Sequence, residues 1–257
     1  MLLPLLLIVL AQIAPHPAPQ PAADAPAVQI NPAAANADAV LRALEARGQD
    51  LRTLQADVSL READAIDGSG FTRTGRVAVA DADTDDPTLR VTFDRKVQGN
   101  KIKPHRLDYH LSGGVLLEHD HENKAATERR LTAPGEPVDL FSLKGPLPLP
   151  IGQPPAEVRR LFDVLPLGPA GEGGGEPEGT VGLELVPLEG TPLSSEFAVV
   201  ELWVDVETGL PLQVYTLDVD EVIERTTTLD NVRLNADLDP ADLALADPPA
   251  GWVLTVE

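Results

Sequence analysis

From Leu54 onward, apolar residues recur at every second position in one short run after another. "LQADVSLRE" places Leu54, Ala56, Val58 and Leu60 on one side, and "GRVAVAD" adds Val77 and Val79. "LRVTFDR" sets Leu89, Val91 and Phe93 opposite Arg90, Thr92 and Asp94, and "HRLDYHL" contributes Leu107, Tyr109 and Leu111. "AVVELWVDVETGLPLQVYTLD" reads as two strands around a turn, with Leu202, Val204 and Val206 answered by Leu210, Leu212 and Val214. A period of two belongs to strands that bury one face, so this chain must form an antiparallel sheet with one greasy side.

Helical signals are few. Asn36 is placed to cap a helix through Arg47, with Val40, Leu41 and Leu44 on one face and Gly48 at its end. A second, short helix is predicted over Ala156 to Leu165. "KGPLPLPIGQPP", Lys144 to Pro155, cannot enter a central sheet because proline lacks the amide donor. "GPAGEGGGEPEG" is an acidic loop, "EVIERTTTLDNVRLN" is expected to form a strand pair, and "DPADLALADPPAGWVL" to close the chain with a helical turn and an extended piece. No βαβ order and no Gly-rich phosphate loop occurs, so the class is α+β, mostly β.

Residues 37–257 read as one domain behind a linker, 28–36. Residues 1–27 carry "MLLPLLLIVLAQIA", whose apolar run Leu2 to Leu10 falls short of the about 20 residues a spanning helix needs. It fits the core of a secretory signal, with cleavage after Ala14 or Ala27, and predicts a periplasmic protein. Retained uncleaved, the same run would be an anchor.

A net charge of −21 excludes nucleic acid as a partner and disfavours an anionic membrane surface. Without cysteine there are no disulfides and no thiol chemistry. No G-x-S-x-G elbow accompanies Ser194 and Ser195, and among 41 Asp and Glu no catalytic pair stands out, so no catalytic residue is assigned. His105, His110, His119 and His121 cluster in sequence, but "EHDHENK" reads as an exposed strand end with surface histidines, so neither a metal nor a cofactor is assigned. What remains is the apolar face. Either it closes on itself as a dry core, or it curls and keeps a hydrophobic hollow under a thin cover.

The helix followed by "LRTLQADVSLRE", then "GRVAVA", "LRVTFDR", "LWVDVETGLPLQVYTLD", "TTLDNVRLN" and "DPADLALADPPAGWVLTVE" resembles the LolA-like outer-membrane lipoprotein carriers of the periplasm. The likeness covers roughly residues 37–257. It implies a strongly curved antiparallel sheet, an incomplete barrel with helices on its concave side, in a monomer. It also implies a non-enzymatic carrier of lipoprotein acyl chains between an inner-membrane donor and an outer-membrane acceptor. Val58, Leu60, Val77, Val79, Leu89, Val91, Phe93, Leu202, Val204, Leu212 and Val214 would line the cavity. Val158, Leu161 and Phe162 would form the lid. A sensor or interaction module of the same fold is the alternative. The basic residue that such carriers place before a proline is replaced by Asp85 and Asp86 before Pro87, so no lid arginine carries over.

Overall fold

The computed structural model describes residues 29–133, 136, 138, 151–171 and 175–257. The predicted signal segment and residues 144–150 of the Pro-rich segment lie outside the described residues. Helix α1 (Ala37–Asp50) starts where Asn36 Oδ1 accepts a hydrogen bond from the Ala39 amide at 2.9 Å. Six strands follow: β1 (Leu54–Asp64), β2 (Gly70–Ala80), β3 (Thr88–Gln98), β4 (Lys101–Ser112), β5 (Val115–Asp120) and β6 (Ala125–Arg130). After α2 (Pro155–Leu161) come β7 (Phe162–Pro169), β8 (Thr180–Pro187), β9 (Phe197–Asp205), β10 (Pro211–Asp218) and β11 (Ile223–Leu234). A short α3 (Pro240–Leu243) and β12 (Val253–Val256) end the chain.

The strands make one sheet in the order β12-β6-β5-β4-β3-β2-β1-β11-β10-β9-β8-β7. Neighbours are antiparallel except β12, which lies parallel to β6. The sheet is strongly curved but unclosed, since β12 and β7 remain its two edges. Curvature follows from the core. Leu116 of β5 and Phe162 of β7 stand far apart in strand order, yet both join a single apolar cluster built around Val40, Leu41 and Leu44 of α1. The mostly-β α+β class expected from the alternation is what forms.

Four local expectations are corrected. Gly48 does not end α1, which runs on to Asp50; a Cβ there would stand 2.1 Å from Gly152 Cα, so glycine serves the close approach of the chain at Gly152. The Gly152 amide donates to the Leu44 carbonyl at 3.0 Å across that contact. The short helix stops at Leu161, not Leu165, because Phe162 and Val164 alternate into the core as β7 pairs with β8. The "EVIERTTTLDNVRLN" stretch is one long strand, not two; β11 pairs with β1 and β10 at once and so joins the two halves of the sheet. The end of the expected linker is packed: Ile30 is buried, its amide donates to the Val206 carbonyl, and a 3₁₀ turn follows at Pro32–Ala34.

Candidate ligand-binding face

Register builds the concave face row by row. Leu54, Val79, Leu89, Leu111 and Leu116 stand side by side across five strands, an unbroken apolar row. The next row runs Ala56, Val77, Val91, Tyr109 and Glu118. Farther along β1 comes Leu60, opposite Arg73, which faces Lys96, which faces Lys103. The face therefore grades from pure hydrocarbon under α1 to a charged end. In the other half, Leu183, Leu202 and Val214 form the matching row.

Val58, Val77, Val79, Leu89, Val91, Phe93, Leu202, Val204 and Val214 all lie buried in one cluster, while Leu60 and Leu212 pack against it partly exposed. Val158 and Phe162 belong to the same cluster, whereas Leu161 is 37% exposed. Val40, Leu41 and Leu44 of α1 are buried in the same cluster as the predicted lining residues. Leu107, Leu111, Leu183, Leu185 and Val200 complete the apolar face. Their alternation was visible in the sequence; Ile151, which closes the cluster from the end of the Pro-rich segment, had no such signal.

Arg47 was missed altogether. It is 1% exposed inside the apolar face of α1, and its Nε donates to the Thr208 carbonyl in the β9–β10 turn. That turn is preset: Asp205 Oδ1 accepts from both the amide and the hydroxyl of Thr208 at 2.7 Å, and Gly209 takes φ 68°. Burial lowers the Arg47 pKa, with Asp50 and Asp205 opposing. The helix is thus tied to the hairpin by one part-buried hydrogen bond.

At the charged end, Tyr109 is pushed up to about 12 by burial and by Glu118, against the pull of Arg73. Glu118 is itself raised by burial and by Asp120. Phe71 carries Arg73 and Lys96 over its ring, at 4.5 and 4.0 Å from the centroid.

The convex face holds three of the clustered histidines. Asp108 is fully buried and accepts from Arg90 Nη2 and Arg106 Nε at 2.9 Å, with His121 Nε2 at 2.8 Å. Burial raises its pKa, but the hydrogen bonds from Thr92, His121 and Arg106 and the Arg90 charge hold it below the usual carboxylate range. His119 and His121 meet the Trp252 ring edge-on at 5.8 and 4.9 Å, and Arg90 Nη1 donates to the Ala244 carbonyl at 2.7 Å. The C-terminal segment is thereby strapped across the convex face. The expectation of surface histidines is corrected for His105 and His119, which are buried. Burial lowers the pKa of His119 and of His110. Among the described residues no group of three or more His, Cys, Asp or Glu is placed to hold a metal.

Pockets open on the surface of the described residues. One, of about 500 Å³, lies on the convex face between Arg76, Arg90, Arg106 and Arg233 and touches the predicted lining set only at Val77. Another, of about 610 Å³, lies at the β3–β4 tip. No helix among the described residues is long and apolar enough to cross a membrane.

No family model and no curated protein matches the chain. Solved structures do. The chain is similar to MucB at 14% identity and TM-score 0.49, covering 82% of its own length and 63% of the MucB chain. It is similar to an uncharacterized conserved protein from Thermus thermophilus at 14% identity and TM-score 0.45, covering 85% of this chain and 97% of that one. A LolA superfamily protein from Nitrosomonas europaea follows at 12% identity and TM-score 0.37, covering 82% and 99%. The chain spans less than two thirds of the MucB chain.

Proposed function

We propose that this domain is a non-enzymatic periplasmic carrier that takes an acyl chain of a lipid or lipoprotein against its concave face, displacing part of its own cover. One observation carries the reading: an apolar face several strands wide, charged only at its far end, lies beneath a cover that is weakly held at one end. Helix α2 has seven residues, buries only Val158, and lacks a side-chain cap at Pro154. Its tie to α1 is a surface ion pair, Arg159 to Asp38 at 2.6 Å, worth about 0–1 kcal/mol. An acyl chain of about sixteen carbons costs roughly 12 kcal/mol in water, so exchanging a few side-chain contacts for it is favourable. No arrangement of nucleophile and base is assigned, and the lid mechanism is this chain's own, since Asp85 and Asp86 stand before Pro87.

The test is lipid extraction and mass spectrometry on protein purified from a bacterial envelope, with displacement of a fluorescent fatty acid. Acyl chains in stoichiometric amount, and weaker probe binding in Leu60→Gln, are expected. Lipid-free protein that ignores the probe would overturn the reading.

A second reading, an envelope interaction module, is favoured by the free edge at β7. Leu165 and Leu167 there, with Val186 and Leu188 next to them, are exposed large apolar residues at a strand whose one strand partner among the described residues is β8. Capture of an extended peptide that is lost on Leu165→Lys, without any bound lipid, selects this reading.

A further inference from the structure

We infer that the pocket at the β3–β4 tip is a binding site for a phosphate-type anion, presented on a lipid headgroup or free. The chain has five lysines, Lys96, Lys101, Lys103, Lys124 and Lys144, and the first three line this one pocket. Register sets Lys96 directly opposite Lys103, a like-charge pair that destabilises an empty hairpin. Among the described residues none of the three has a carboxylate partner, in a chain where Asp and Glu outnumber Lys and Arg by 41 to 20.

His105 supplies an independent observation. It lines the same pocket, is 8% exposed, and its Nε2 has no hydrogen-bond partner among the described residues. A buried ring nitrogen left unpaired is costly unless something else meets it. Its Nδ1 lies 2.8 Å from Glu122 Oε2, so the one carboxylate in the pocket is turned toward the histidine. Lysine ammonium groups are point charges that suit phosphate oxygens, and an anion among them would relieve the Lys96–Lys103 repulsion.

Protection of a free edge explains part of this pattern. β5 pairs with β4 from Leu107 to Ser112 and the His121 amide donates to the Arg106 carbonyl, so among the described residues Lys101 to His105 form an open edge, where Lys and Pro104 discourage pairing with another strand. That need does not reach Lys96, which lies on β3 between two partner strands, nor the unpaired His105 nitrogen. The overall charge of −21 does not cancel the site, because charges beyond about 8 Å are screened at physiological ionic strength.

The proposal stands apart from acyl-chain carriage. It is tested with the full exported chain by calorimetry against inorganic pyrophosphate and by flotation with phosphatidylglycerol or phosphatidylcholine vesicles, at about 50 mM and about 200 mM NaCl. Binding of pyrophosphate, of the anionic vesicles, or of both is expected, weakening with salt, and dropping about tenfold in the triple variant Lys96→Gln, Lys101→Gln, Lys103→Gln. Glu122→Gln should bind about two- to threefold tighter, a gain that no folding defect can mimic. Vesicle binding that pyrophosphate cannot compete away assigns the headgroup, and competition assigns the phosphate group in any setting. Failure of both probes at the lower salt, or a triple variant that binds like the parent, overturns the inference.

Discussion

Two neighbouring positions on α1 show how single residues hold this fold together. Gly48 has ordinary helical backbone, so its role is space, not conformation: the chain at Gly152 passes too close for any Cβ. Gly48→Ala is therefore expected to cost about 1–3 kcal/mol through overpacking, although alanine is the better helix former. Urea unfolding measures it; a neutral or stabilising result would show that the 151–152 segment yields freely. Arg47 is the opposite case, a cation kept in the apolar face for one carbonyl. Arg47→Ala should lose about 1.5–3 kcal/mol, the range for a hydrogen bond to a charged group. Leu161→Ser, one residue before the buried Phe162, should stay within about 0.5 kcal/mol because its side chain is exposed.

Among the elements, the C-terminal strap responds to acid. His119 has a folded-state pKa lowered by burial, with Asp108 opposing and His121 and Arg90 adding to the depression. A histidine with a lowered pKa binds fewer protons folded than unfolded, so its contribution is fully present above the unfolded value, near 6.5, and is lost as pH falls through the folded value. Stability should therefore decline as pH drops below about 6.5, with Trp252 emission shifting as its histidine contacts loosen, and His119→Gln should flatten that slope. Melts of both proteins from neutral to mildly acidic pH check this; parallel curves would remove His119 from the account. Asp108 acts in the same direction further down, since the stability that its lowered pKa contributes is present above the unfolded carboxylate value, near 3.9, and is lost as pH falls through the folded value. Helix α2 is the weak element on the concave side. Val158→Ala should speed uptake of an acyl probe, because opening it removes less buried surface.

For the molecule as a whole, on the carrier reading, the filled concave face makes opening precede binding. The rate of acyl-probe uptake is therefore expected to level off as probe concentration rises, with the plateau set by the opening step. A rate that climbs linearly throughout would show a groove open at rest. Strand alternation announced the mostly-β class, the apolar rows and the capped helix, since a period of two or of 3.6 is written into local spacing. Leu202, Val204 and Phe93 could be assigned to the buried side from their neighbours alone. Whether that side is a hollow or a packed core could not be, because occupancy depends on where α1 lands, and α1 packs Val40, Leu41 and Leu44 into the cluster while Arg47 meets a turn 161 residues away. The lysine cluster at the β3–β4 tip was equally hidden: Lys96 and Lys103 look unrelated in a sequence of overwhelming acidity until register sets them face to face. Local spacing settles which residues want water and which do not, but pairing across the sheet and the seating of helices are long-range matters of shape, and they decide which buried groups become neighbours.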